Sequence, residues 1–219
     1  MTKIPSGFAI DPSMKISETP EMLPPRNENW RTRRELAETL RRLNTALITS
    51  VVPIEQLTAL TETLRKEVDR IEANPRVFGR LALLEQEIAD GLYELGPAIG
   101  QSNAVSMPMH VWAENGKVHG QLTADWSREG PFGHVHGGVI ALLFDQFLGI
   151  AQRTVQGTGR TGTLTIRYHH PTPLNRPLRM VAEVSRVDGR KKFVIGEIWA
   201  DDIRTASCEG VFISNKDTA

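Results

Sequence analysis

At 219 residues, with 40% apolar and 24% charged side chains, the chain has material for one globular domain and a long appendage, which excludes wholesale disorder. Lys+Arg and Asp+Glu both number 26, so zero formal net charge gives no global pull toward nucleic acid or an anionic membrane. A single cysteine, Cys208, excludes an internal disulfide and a thiol-clustered metal site.

The first residues, MTKIPSGFAIDPSMK, hold no apolar core of signal-peptide length, and no window approaches the roughly 18 apolar residues that cross a bilayer. With a lone thiol, this predicts a cytoplasmic protein without a membrane span. Residues 1–28 read as a Pro-rich, flexible leader. Between Gly7 and Gly79 there is no glycine, and the stretch is rich in Leu, Glu and Arg, which favours helix. Leu36, Leu40, Leu43 and Leu47 share one face of a helix beginning near Trp30. Pro53 starts a second, striped by Ile54, Leu57, Leu60, Leu64, Val68 and Ile71. Val77, Leu81, Leu84 and Ile88 predict a third before Gly96-Pro97. Residues 29–100 therefore read as a helical extension whose apolar stripes need a partner surface, either for oligomerisation or simply as a cap on the rest of the chain.

Beyond residue 100, glycines punctuate short β-branched runs, the pattern of strands and turns. Val105–Trp112 and Lys117–Thr123 flank Asn115-Gly116, a hairpin signal because both turn positions must reach positive φ. Val139–Ala151 is apolar on nearly all sides and too long for an average strand, which predicts a buried central helix. Strands follow at Thr163–Tyr168, Leu178–Val187, Lys192–Ala200 and Ala206–Ser214. A helix emitted in mid-sheet must be wrapped by that sheet to hide its apolar sides, so residues 104–216 form an α+β domain in the order β-β-α-β-β-β-β.

The chemistry gathers where this helix starts. Gly137 and Gly138 leave backbone N–H groups unpaired and unshielded, an electropositive hole for a carbonyl or phosphate oxygen, or alternatively a point of close helix–sheet packing. Asp145 is the only charged residue from Val139 to Gln152, and a buried carboxylate there is costly unless paired or functional. At 1.5 Å per residue, Asp145 lies roughly 12 Å beyond Gly137 along the helix, so one carbonyl cannot touch both from a single chain. If both act on one bond, the carboxylate comes from an antiparallel helix of a second copy, and catalysis needs a homodimer with two shared sites.

His136-Gly137-Gly138, six intervening residues and then Asp145 resemble the hot-dog-fold acyl-CoA thioesterases of the PaaI type, the family that includes the mammalian thioesterase-superfamily proteins. The resemblance covers Val105 to Ser214, about half of the chain, and extends to Thr161-Gly-Thr-Leu-Thr-Ile-Arg-Tyr168 with Pro171 and Pro173. It implies a hot-dog fold, an antiparallel sheet wrapped around a central helix, here preceded by the helical extension. It further implies hydrolysis of an acyl-CoA by a homodimer or dimer of dimers, with no cofactor. Gly137, with Gly138 beside it, would supply the oxyanion hole. The partner chain's Asp145 would be base or nucleophile. Thr161 would hold the attacking water, with Thr163 its rival, and His136 would border the substrate. Where some members carry Asn six residues before the His, this chain has Gly130. Arg190, Lys191 and Lys192 after the Asp188-Gly189 turn suit the phosphates of coenzyme A, or form a solvated hairpin tip. Phe144, Phe147 and Leu148 are candidates for setting acyl-pocket depth. His134, His136, His169 and His170 lack a recognisable third-ligand motif, so no metal is expected. The competing readings are a non-catalytic acyl-CoA-binding or regulatory module, and a hot-dog dehydratase whose His/acid pair is not seen.

Overall fold

The computed structural model describes residues 22–75, 93–155 and 159–214. Helix α1 (Glu28–Thr49) starts where Asn27 accepts a hydrogen bond from the Trp30 amide at 3.1 Å, a side-chain N-cap. Helix α2 (Ile54–Glu72) begins directly after Pro53. The third helix expected at 77–88 lies outside the described residues.

Strands β1 (His110–Glu114), β2 (Lys117–Thr123), β3 (Gly159–Tyr168), β4 (Pro177–Asp188), β5 (Lys191–Ala200) and β6 (Ile203–Ser214) form one antiparallel sheet in the order β1-β2-β4-β5-β6-β3. Helix α3 (Gly137–Ala151) falls between β2 and β3 in sequence and packs on the inner face of that sheet. The expected order of elements is therefore present. The first strand starts at His110 rather than Val105, because Met107 and Met109 give their amides to Ala98 and Ile99 of the preceding segment instead of to the sheet.

The core lies between α3 and the sheet. Leu143, Phe144, Phe147 and Leu148 are 0% exposed. The sheet meets them with small residues: a Cβ at Gly196 would sit 2.6 Å from Leu148 Cδ1, and one at Gly120 would sit 2.8 Å from Phe147. Missing side chains on the central strands thus let the helix approach closely. Burying each large side chain in this layer contributes about 1.5–3 kcal/mol.

Helix α1 is tied to the domain by polar contacts. Arg34 pairs with Glu94 at 2.6 Å, their side chains only 15% and 5% exposed. Arg41 donates to the Asn103 carbonyl at 2.9 Å, and Thr45 to Asp125 Oδ2 at 2.9 Å. Helix α2 has no buried residue.

Candidate functional site

Residues 128–136 double back before α3. The Glu129–Val135 bridge, together with His136 N–H donating to the Arg128 carbonyl at 2.9 Å, closes this loop. Gly130 sits inside it, where a Cβ would stand 2.7 Å from His136 Cα. A glycine is required there by close approach, so the Asn that some relatives carry has no room in this backbone.

His136 ends in an extended conformation, φ −59° and ψ 135°, and is the N-cap of α3. Its Nδ1 accepts the Gly138 N–H at 2.9 Å, while its carbonyl accepts from Val139 at 2.9 Å and Ile140 at 3.2 Å. Among the described residues, the Gly137 N–H finds no acceptor. One unengaged donor therefore stands at the positive end of a 15-residue helix. Tyr168, which sequence reasoning did not single out, donates its hydroxyl hydrogen to the Gly137 carbonyl at 3.0 Å and fixes that peptide plane. A Cβ at Gly137 would meet only Tyr168, at 3.5–3.6 Å, so space alone does not demand glycine there.

The expectation that α3 is buried on nearly all sides needs correction. Gly138, Leu142 and Asp145, spaced four and three residues apart, form an exposed stripe along it. Asp145 is consequently solvated in the single chain rather than sealed in an apolar layer. Its Oδ1 accepts a hydrogen bond from Thr161 at 2.8 Å. Thr161 lies on β3, which is an edge strand of the sheet.

Alternation along a regular strand would put Thr161 and Thr163 on the same face, but a β-bulge lies between them. Thr161 pairs with Phe212, which is 1% exposed beneath the helix, whereas Thr163 pairs with Val211 on the opposite face. Thr163 therefore points away from Asp145, and its expected place beside the substrate does not fit this register. Gly162 in mid-strand was the available signal, since glycine inside a strand pattern marks a bulge.

Lys192 also departs from expectation. It is 2% exposed, and its ammonium donates to carbonyl oxygens inside the domain, beyond reach of a phosphate at the surface. Arg190 and Lys191 are exposed at the β4–β5 turn, with Arg190 donating to the Ser214 carbonyl at 3.4 Å. Phe144, Phe147 and Leu148 all face the core and are fully enclosed in the single chain. Among the histidines, His169 Nε2 lies 2.9 Å from Ser207 Oγ, and His134 bridges to Pro173. No group of three His, Cys, Asp or Glu side chains suited to a metal gathers among the described residues. Cys208, a residue of β6 itself, is buried, and burial pushes its thiol up to about 11.

Comparison with known proteins places the same segment in a family context. The profile of the thioesterase superfamily matches residues 132–207, from the loop before α3 into β6. Acyl-coenzyme A thioesterase THEM4 of Xenopus laevis is 35% identical over 74 residues, which cover 34% of this chain and 33% of that protein. Its counterpart in Mus musculus is 33% identical over 81 residues, 37% of this chain and 35% of that protein. The match thus spans about a third of the length of these curated relatives. A crystal structure of a thioesterase superfamily protein superimposes with a TM-score of 0.78 at 32% identity, covering 91% of this chain and 98% of that one.

Proposed function

The chain belongs to the thioesterase superfamily, and from that premise we propose that it is an acyl-CoA thioesterase whose two half-sites meet across a homodimer. The observation that carries the reading is the pair of separated groups on one helix: a free N–H at Gly137 and a solvated carboxylate at Asp145, both open to a second copy.

In this reading the thioester carbonyl oxygen accepts the Gly137 N–H, and the positive end of α3 stabilises the oxyanion that forms. Gly138 adds a second donor once the His136 ring turns from it. The partner chain's carboxylate faces the carbonyl carbon. Thr161 holds Oδ1 of Asp145, leaving Oδ2 to take a proton from water as the C–O bond forms. The C–S bond then breaks, and coenzyme A leaves as a thiolate that takes up the proton Asp145 received, which restores the carboxylate. Arg190 and Lys191 contact coenzyme A phosphates as exposed cations, without Lys192.

The exposed stripe Gly138–Leu142–Asp145 and the edge strand β3 support the homodimer, since both are surfaces that a two-fold partner covers with the same surfaces of its own. The test is purified protein on a panel of short, aromatic and long acyl-CoAs with detection of the released thiol, beside Asp145→Asn. Turnover lowered at least about a hundredfold in the variant is expected. Tight binding without turnover on every acyl-CoA overturns the reading in favour of a binding module.

A further inference from the structure

Lys192 is a buried ammonium that the proposed chemistry does not use. It lies on the inner face of β5, opposite Phe212 of β6, and is 2% exposed. Taking a lysine out of water is costly unless its hydrogens find acceptors. Here Nζ donates to Gln152 O at 3.0 Å, to Gln152 Oε1 at 3.3 Å and to Val155 O at 3.3 Å. Two of these carbonyls lie at or just beyond the C-terminus of α3, the negative end of its dipole, where a cation is favoured.

Gln152 passes the effect on. Its side chain, also 2% exposed, pairs with Gly159 in both directions: Oε1 accepts the Gly159 N–H at 3.1 Å, and Nε2 donates to the Gly159 carbonyl at 3.4 Å. Nε2 also reaches the Gly149 carbonyl at 3.3 Å. This pairing works in only one orientation of the amide. With the amide flipped, two donors face each other at Gly159 N and two acceptors at Gly159 O. An ammonium has hydrogens and no lone pair, so Lys192 tolerates only Oε1 beside it and selects that orientation. Gly159 is the first residue of β3, and Thr161 follows two residues later.

We infer that Lys192 is a positioning residue: acting through the Gln152 amide, it locks the start of β3 to the end of α3 and so holds Thr161 against Asp145. The inference rests on the catalytic reading of that pair for its kinetic consequence, but not for its structural one. Three cross-links then join α3 and its C-cap to β3, namely Gly137–Tyr168, Asp145–Thr161 and Gln152–Gly159, and the buried cation fixes the last so that the second keeps its geometry.

The experiment is a double-substitution cycle with an exchange measurement beside it. Lys192→Met keeps the apolar stem and removes the donors. It is expected to lower kcat about tenfold with KM changed less than about twofold, as misplacement of a catalytic group does. In a Thr161→Ala background the same change is expected to alter kcat less than about twofold, because the contact it supports is already gone. Equal fold losses in both backgrounds overturn the inference and leave Lys192 as general support for the fold. Independently of activity, amide exchange over residues 159–166 is expected to accelerate while the β1–β2 hairpin at 110–123 keeps its protection. Acceleration in both segments, or in neither, overturns it as well. If the unaltered protein turns over no acyl-CoA, the hydrolase reading fails, and the exchange result alone decides the clamp. Should Lys192→Met not fold, Gln152→Glu keeps an oxygen for the ammonium while removing the donor to the Gly159 carbonyl, and the same pattern is expected.

Discussion

Thr161 gives its hydroxyl hydrogen to Asp145 at 2.8 Å, joining the edge strand to the exposed face of the helix across sixteen positions of sequence. A carboxylate oxygen held in this way keeps its partner oxygen aimed outward. Asp145→Asn is expected to lower kcat by about 10²–10⁴-fold, the range for a general base. Thr161→Ala should cost about tenfold through lost orientation. Thr163→Ala, on the far side of the bulge, should stay within about twofold. Steady-state kinetics on one acyl-CoA measures all three.

The backbone geometry at Gly137 permits a substitution that deletes the donor and little else. Proline is accepted at the first helical position, and it requires the preceding residue to be extended, as His136 is at φ −59° and ψ 135°. Gly137→Pro should therefore keep its melting temperature while kcat falls about 10²–10³-fold, the loss seen when one oxyanion donor is removed. Mixed with Asp145→Asn chains, it should regain activity: each heterodimer holds one site with an intact Gly137 and an intact Asp145. Heterodimers that form without recovering turnover contradict the shared site.

At Gly130 the expectation runs against simple restoration of the relatives' residue. Gly130→Asn places a Cβ 2.7 Å from His136 Cα, a backbone atom that cannot yield cheaply. A loss of about 1–3 kcal/mol in denaturant unfolding is expected, the usual cost of overpacking. His136→Ala, by contrast, removes only a cap and should cost about 1 kcal/mol.

Cys208 offers a pH signature. Burial raises its thiol to about 11, so the folded chain holds that proton more tightly than the unfolded chain does. The stabilisation is complete below the ordinary thiol value of 9.0 and is lost as pH climbs toward about 11. Cys208→Ala should flatten the fall of stability over this window. Alkylation of the native protein at neutral pH should be slow, and fast after denaturant is added.

Helix α1 should depend on one partly desolvated pair. Removing a partner from Arg34–Glu94 leaves a charge largely out of water, so Arg34→Ala should destabilise the chain by about 3 kcal/mol. Arg31–Glu28, with side chains 57% and 74% exposed, should contribute less than about 1 kcal/mol when tested the same way.

What the sequence disclosed and what it withheld divide along physical lines. Strand alternation, the Asn115-Gly116 turn and the continuous apolar run of α3 are local signals, and each stands in the fold at nearly its expected place. Thr161 is singled out through family resemblance alone, as a holder of the attacking water, and its meeting with Asp145 within one chain is not foreseen, because contacts between elements leave no periodicity. Two features lay beyond both, and a third, the bulge at Gly162, was signalled only by its glycine. Lys192 sits at an alternating position that reads equally as a solvated turn or an inward stem. Gly162 shifts the strand by one residue, which transfers Thr163 to the other face. The exposure of Asp145 depends on the sheet covering only one side of the helix, a property of closure that hydrophobicity along α3 does not encode.

The closeness of α3 to its glycine-lined floor bears on selectivity. Leu148 fills the space over Gly196, Phe147 fills that over Gly120, and Phe144 is fully enclosed, so these three side chains occupy the layer beneath the helix. For an acyl chain placed at the Gly137 amide as proposed, the open course among the described residues is the outward side, past Val139 and the 41% exposed Leu142. In the proposed homodimer, preference for short or long acyl groups is then a property of the seam between two copies. Such a protein can change its diet by altering surface residues, leaving the core that keeps it folded untouched.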